Sequence, residues 1–435
     1  MPGVFLKLIF LTVLLIGINC VPDEADESYQ FQGKPSWQPM LEYTFALHQK
    51  STHPKEYPFP FEWEEIGPGY CYGPAFGHWD IIHQVFDALE YDPDHALKQL
   101  YNNIANQEAS GLLPGSIWMP DGKSERKRVE WNRSSAGHPP VWVVAADEMV
   151  IASHQDKKIV NNFYQALIRQ ITWFENKRKA EGEGFFYTDI LYKLWESGVD
   201  EGVRFDEVGM GRWACVDATS HVYMLYEYAE KWAQLLGIES GFYNSRKLAI
   251  KQFINDSLYS NTDGMYFDHW AMKEPHMRHY VIENFWPMIA GVIPKVRADD
   301  LIDNYLLNQS HFLTSHPVPS VSVSDPKFEL RMWRGPAWNS ITYWIALGCM
   351  KYDRLDAARI ILERALDSSA GQFARTGTVW EFYHPQGGNQ KDVKRKPQTK
   401  FNTPCEDYLG HNPLIAMTVL YGQALNDDLI KSDKE

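Results

Sequence analysis

The sequence predicts an all-helical domain that carries its chemistry on long loops. Three observations lead there. Apolar residues recur at spacings of three and four, strand signals are short and isolated, and the segments between helices are rich in glycine, proline and aromatic residues. The first helix starts at Asp92-Pro93, an N-cap followed by a proline at the first helical position, and places Leu97, Leu100 and Ile104 on one face. A second stripe runs through Val160, Phe163, Leu167, Ile171 and Phe174. A third runs through Val222, Leu225, Ala229, Trp232 and Leu236, with Gly237 placed to end it. The clearest strand signal is Met265-Tyr266-Phe267, too local for an extensive sheet.

A chain of 435 residues can bury a large core, and its 44% hydrophobic and 23% charged residues are those of a globular protein. The net charge of −14 is spread along the chain without a basic stripe, which excludes nucleic acid as a partner. Lys391, Lys394, Arg395, Lys396 and Lys400 lie in a proline-containing stretch and predict a solvated loop.

At the amino terminus, Lys7 precedes the apolar run Leu8 to Ile16, followed by Gly17, Asn19 and Cys20. That pattern predicts a signal peptide over residues 1–20, since the run is shorter than the roughly 20 apolar residues a membrane-spanning helix needs. Secretion, or residence in the secretory lumen, with no membrane attachment after cleavage is the corresponding expectation. Residues 21–55 predict an extended lead-in, 56–425 the helical domain and 426–435 a polar tail. Asn132, Asn255 and Asn308 head glycosylation sequons. Cys71, Cys215, Cys349 and Cys405 remain after cleavage, and spacing leaves three pairings or free thiols equally open.

Several loops mix carboxylates with tryptophan and tyrosine, among them His78-Trp79-Asp80, Trp195 to Asp200, Met332 to Trp338 and Trp380 to Tyr383. Sugars need this mixture, because their C–H faces stack on aromatic rings while their hydroxyls need fixed polar partners. Glycosidic cleavage further needs two carboxyl groups, one protonated and one ionised. With 56 Asp and Glu residues, composition alone does not select the pair.

Family resemblance selects it. The segment from Trp195 through Glu196, Ser197, Gly198, Val199 and Asp200 to Arg204 resembles the E-S/T-G-x-D-x-x-x-R motif of a clan of inverting glycoside hydrolases. That clan contains trehalases, family 63 α-glucosidases and mannosylglycerate hydrolases. The stretch Met332-Trp333-Arg334-Gly335-Pro336-Ala337-Trp338 resembles its Y-W-R-G-P-V-W segment, with Met332 in place of tyrosine. Trp79-Asp80 resembles the end of an F-L-W-D segment, and Gly69 to Gly73 a tyrosine-bearing loop. Glu381, in Trp380-Glu381-Phe382-Tyr383-His384, resembles the glutamate of E-Y-Y-D, with His384 replacing aspartate. His138 stands where relatives carry Q-P-P, and His411 where they carry F-S-W-S or F-G-W.

The resemblance covers residues 57 to 425 and implies an (α/α)6 toroid with its site at one mouth. It further implies Asp200 as general acid, Glu381 as general base, and Tyr72, Trp79, Asp80, His138, Glu196, Arg204, Trp333, Arg334, Trp338 and His411 as substrate contacts. The substrate expected is a small oligosaccharide or glycoside, with α-glucosides first and glycerate-linked sugars or trehalose behind. No cofactor or metal is expected, since the 15 histidines form no H-E-x-x-H pair and the cysteines are far apart. Two rivals remain: a sugar epimerase on a helical toroid, and a catalytically silent carbohydrate-binding protein.

Overall fold

The computed structural model describes residues 30–121, 130–192 and 195–432. Twelve helices build its frame. They are α1 (Gln38–Ser51), α2 (Asp80–Tyr91), α3 (Pro93–Ala105), α4 (Trp142–Ala152), α5 (Lys157–Lys177), α6 (Val216–Leu236), α7 (Gly241–Ser257), α8 (Trp286–Ile289), α9 (Lys295–Leu301), α10 (Asn339–Lys351), α11 (Leu355–Thr376) and α12 (Leu414–Ser432). Helix α2 packs on α4, α4 on α6, α6 on α8, α8 on α10, α10 on α12, and α12 back on α2, so six helices close an inner ring. Helices α3, α5, α7 and α11 each pack outside the inner helix that precedes them, and α1 packs on α11 and α12. This is the all-α (α/α)6 toroid.

The two layers have different sequence signatures. Outer helix α5 is amphipathic, and all five residues of its apolar stripe are buried. The Asp92 side chain caps α3 by accepting from the His95 amide, although Leu97 and Ile104 of its stripe are only half-buried and Ala96, Gln99 and Leu100 face the core. Inner helices carry longer buried runs. Asp80 to Ala88 of α2 and Asn339 to Ala346 of α10 are buried without interruption, and in α10 the polar Asn339, Ser340 and Thr342 lie among the apolar residues, so no clear apolar stripe marks it in the sequence. Gly237 ends α6 in the left-handed conformation at φ 73°.

One segment differs from expectation. The lead-in is not extended throughout, since α1 lies within it and buries Met40, Leu41 and Leu47 against the outer layer. The polar tail is helical as far as Ser432, because α12 continues through it. The strand signal at Met265 proves local, as Met265–Tyr266 pairs only with Tyr259–Ser260. The Asn255 amide donates to the Lys251 and Val292 carbonyls, so that sequon is engaged in packing. The predicted signal peptide lies outside the described residues. No described helix is long and apolar enough to cross a membrane.

Candidate active site

The long loops that lead into the amino-terminal ends of inner helices meet at one end of the ring. Trp79 and Asp80 begin α2, His138 precedes α4, Asp200 precedes α6, Trp333 and Trp338 precede α10, and Glu381 to His411 precede α12. Helix amino termini carry positive partial charge, which suits a site rich in carboxylates. The loops line a cleft of about 800 Å3, open mouth included, that contains Tyr70, Tyr72, Trp79, Asp80, Trp118, His138, Trp195, Asp200, Met332, Trp333, Trp338, Glu381, Arg395, Lys396, Tyr408 and His411.

Stacked rings form its floor. Trp333 lies flat on Trp338 with ring centroids 3.6 Å apart, and Trp79 stands 6.2 Å from Trp333 at 25°. A buried histidine, His83, fixes this floor: the indole N–H groups of Trp79 and Trp344 both donate to its Nε2, while its Nδ1 donates to the Gly410 carbonyl. Burial lowers the His83 pKa to about 3, so the ring stays neutral and keeps the acceptor those indoles need. Gly198 supports the other face of Trp79. At φ +75°, a Cβ there would fall 1.5 Å from the indole, so the Asp200 loop and the floor fit only through glycine.

Asp80 accepts from the Tyr408 hydroxyl at 2.7 Å, and its Oδ1 lies 3.6 Å from His411 Nε2. Burial pushes its carboxyl up to about 6. His411 bonds the Ser340 hydroxyl through Nδ1 at 2.7 Å, and burial drives its pKa far down, so it is a neutral member of the wall. The His138 Nδ1 is buried without a hydrogen-bond partner among the described residues.

Asp200 and Glu381, the two carboxylates expected to act in catalysis, sit in contrasting surroundings. Burial in the cleft pushes the Asp200 pKa up, against the opposing pull of Lys396, whose Nζ lies 3.2 Å from Oδ2, and of Arg395. Glu381 receives the Arg395 Nε–H on both oxygens, at 3.0 and 2.7 Å, and the Cys405 amide at 3.1 Å. Arg395 also donates to the Tyr72 hydroxyl at 3.2 Å. Arg395 and Lys396 therefore belong to the site. Their segment, expected as a solvated loop, folds inward because these two cations meet two buried or half-buried carboxylates; Arg395 is only 2% exposed.

Three residues expected to touch substrate lie outside the cleft lining and support it instead. Glu196 is clamped by two Arg178 N–H groups at 2.7 Å and accepts from the Thr188 and Gly137 amides. Arg334 donates to Asp206 and Glu329, which fills its guanidinium. Arg204 donates to Asp217 and Asp268 and lies 3.0 Å from Glu283 through Nε. These contacts pin the Asp200 loop at both ends. Asp217 and Asp268 also adjoin Cys215, but the guanidinium occupies the centre they share.

Removing Arg204 strands three buried carboxylates. Arg204→Met is expected to cost ~3–5 kcal/mol, measured as a shift in the urea midpoint, and a loss below about 1 kcal/mol would refute this anchoring role. A second anchor titrates. Asp189 accepts from the Ser197 amide and hydroxyl, and burial raises its pKa from 3.8 to about 8. Between those values the folded chain holds a proton that the unfolded chain has released, so stability falls as pH rises through the window. Asp189→Asn is expected to remove that fall, about 1.4 kcal/mol per pH unit at most, most visibly between about pH 5 and 7. Stability curves of variant and wild type that stay parallel across this range would contradict it.

Residues 74–402 match the family described as the mannosylglycerate hydrolase MGH1-like glycoside hydrolase domain. The chain is 21% identical over 406 residues to a mannosylglycerate hydrolase of Rubrobacter radiotolerans, covering 75% of this chain and 90% of that one. It is 28% identical over 334 residues to an uncharacterised protein of Borreliella burgdorferi, covering 74% of this chain and 66% of that protein's length. In three dimensions it is similar to the GH63 mannosylglycerate hydrolase of Thermus thermophilus bound to glucose, with TM-score 0.66, 15% identity, and coverage of 90% and 100%. It is also similar to the neutral trehalase of Saccharomyces cerevisiae, with TM-score 0.63, 15% identity, and coverage of 88% and 79%.

Proposed function

Since the chain belongs to the mannosylglycerate hydrolase MGH1-like glycoside hydrolase family, we propose that it hydrolyses an α-linked sugar with inversion, Asp200 acting as acid and Glu381 as base. Asp200 protonates the departing oxygen. Glu381 takes a proton from water on the opposite face, and the carbon is inverted without a covalent intermediate. The two carboxyl groups are then expected to stand roughly 6.5–9.5 Å apart to admit that water. The sugar ring rests on Trp79 and Trp333, and Asp80, His138 and His411 meet its hydroxyls.

One observation carries the choice of substrate. Lys396 lies against Asp200, the residue proposed to protonate the leaving group, and a cation there favours an acidic aglycone such as glycerate over a neutral second sugar. An anionic aglycone would draw the ammonium away from Asp200 and leave that carboxyl freer to hold its proton. The Rubrobacter relative's name agrees with this order. A neutral α-glucoside, first in order on the sequence alone, is the second reading, supported by the glucose bound to the Thermus neighbour.

A panel of glycerate-linked mannose and glucose, trehalose and α-linked glucose disaccharides, assayed for free monosaccharide, tests both. Preference of about tenfold or more for the glycerate-linked sugars is expected, the worth of one charge-assisted hydrogen bond at ~1.5–3 kcal/mol. Hydrolysis confined to neutral disaccharides would reject the acidic aglycone. Isomer interconversion would indicate an epimerase, and affinity without release a silent binding protein. The leader further supports export, which amino-terminal sequencing of the mature chain checks.

A further inference from the structure

We propose that Cys71 and Cys405 are a disulfide-forming site that ties the tyrosine loop of the cleft to the segment holding the base. The four cysteines past the leader are free thiols here, and these two meet. The Cys71 amide donates to Cys405 Sγ at 3.4 Å. Both pack in one small cluster with Ile66, Ala75 and Tyr408. Their backbones are in register around them: a Cβ on Gly69 would strike the Glu406 carbonyl, and Tyr70 lies edge-on to Tyr408 with centroids 5.8 Å apart.

The pair joins two working parts of the cleft. Cys71 lies between Tyr70 and Tyr72, which line it, and the Cys405 amide donates to Glu381. Cys71 is also the more reactive partner. It is half-buried, and the Cys405 thiol, with Arg395 and Lys396 nearby, favours its thiolate. Cys215 and Cys349 are fully buried, and burial raises both their thiol pKa values.

The oxidant is a low-molecular-weight disulfide such as glutathione disulfide. The Cys71 thiolate attacks one of its sulfurs, breaking that S–S bond and releasing one thiolate, which takes up the proton Cys71 gave. Cys405, losing its proton, then attacks the Cys71 sulfur of the mixed disulfide and expels the second thiol. Two cysteines are oxidised by two electrons, and one disulfide is reduced to two thiols.

The test equilibrates the full chain in glutathione buffers from reducing to oxidising, alkylates under denaturing conditions and maps peptides by mass spectrometry. A single Cys71–Cys405 cross-link is expected under oxidising conditions, with Cys215 and Cys349 alkylated. The oxidised chain is expected to unfold on the order of 5 °C higher than the reduced one, and Cys71→Ser to lose that difference. A cross-link between other cysteines, Cys71 held only as a mixed disulfide with glutathione, or an equal thermal shift in Cys71→Ser would overturn the proposal. The mapping uses the native sequence, so it decides even if the variant folds poorly, and it does not depend on the chain being an active hydrolase.

Discussion

Asp200→Asn is expected to lower kcat by roughly 10²–10⁴-fold on a sugar with an alkoxide-like leaving group, while the affinity for sugar changes little. The amide fills the same space but has no proton to give. In the proposed reading sugar affinity rests on the Trp79 and Trp333 rings and on Asp80, none of which is hydrogen-bonded to Asp200. The loop itself is pinned through Glu196, Ser197 and Arg204, so the thermal midpoint of the variant should stay near that of the wild type. A glycosyl fluoride, whose leaving group departs with little protonation, should recover much of the lost rate. Wild-type turnover of natural glycosides by this variant would remove Asp200 from the acid role.

Glu381→Gln is expected to lose a comparable factor, roughly 10²–10⁴ in kcat, but with a different substrate signature. Water must be activated whatever the leaving group, so a glycosyl fluoride should not rescue this variant. The substitution also leaves the Arg395 guanidinium, buried beside Tyr72, without its carboxylate partner, and a modest loss of stability should accompany the loss of rate. Equal rescue of both variants by the fluoride would mean that the two carboxylates do not divide the work as acid and base.

The layers of the fold differ in how openly the sequence announces them. Outer helix α5 must be apolar on one side and polar on the other, and its stripe from Val160 to Phe174 is plain in the sequence. Inner helix α10 carries a longer buried run, with Asn339, Ser340 and Thr342 inside the core, so periodicity is silent there. Helix α1 was hidden for another reason: its apolar residues follow a lead-in of acidic and proline residues that masks its start.

The site shows the same division. Loop motifs place Trp79, Asp80, Asp200, Trp333, Glu381 and His411 around one cleft, but adjacency in a motif does not tell which side chains face it. Glu196 and Arg204 flank Asp200 in the chain yet turn away to Arg178 and to Asp217. Conversely, Arg395 and Lys396 carry the polarity of a surface loop, and only the carboxylates brought to them by distant segments draw them inside. Charge pairing across 196 residues of chain, as between Asp200 and Lys396, has no local signature.

Inversion by a water-mediated pair of carboxylates is the claim on which the mechanism stands. Proton NMR recorded during the first minutes of hydrolysis of an α-linked substrate, before the free sugar mutarotates, reads it directly. The β anomer appearing first, with the α anomer growing in only as mutarotation proceeds, is the predicted result. An α anomer formed first would mean retention, a nucleophilic carboxylate and an account of Asp200 and Glu381 that is wrong.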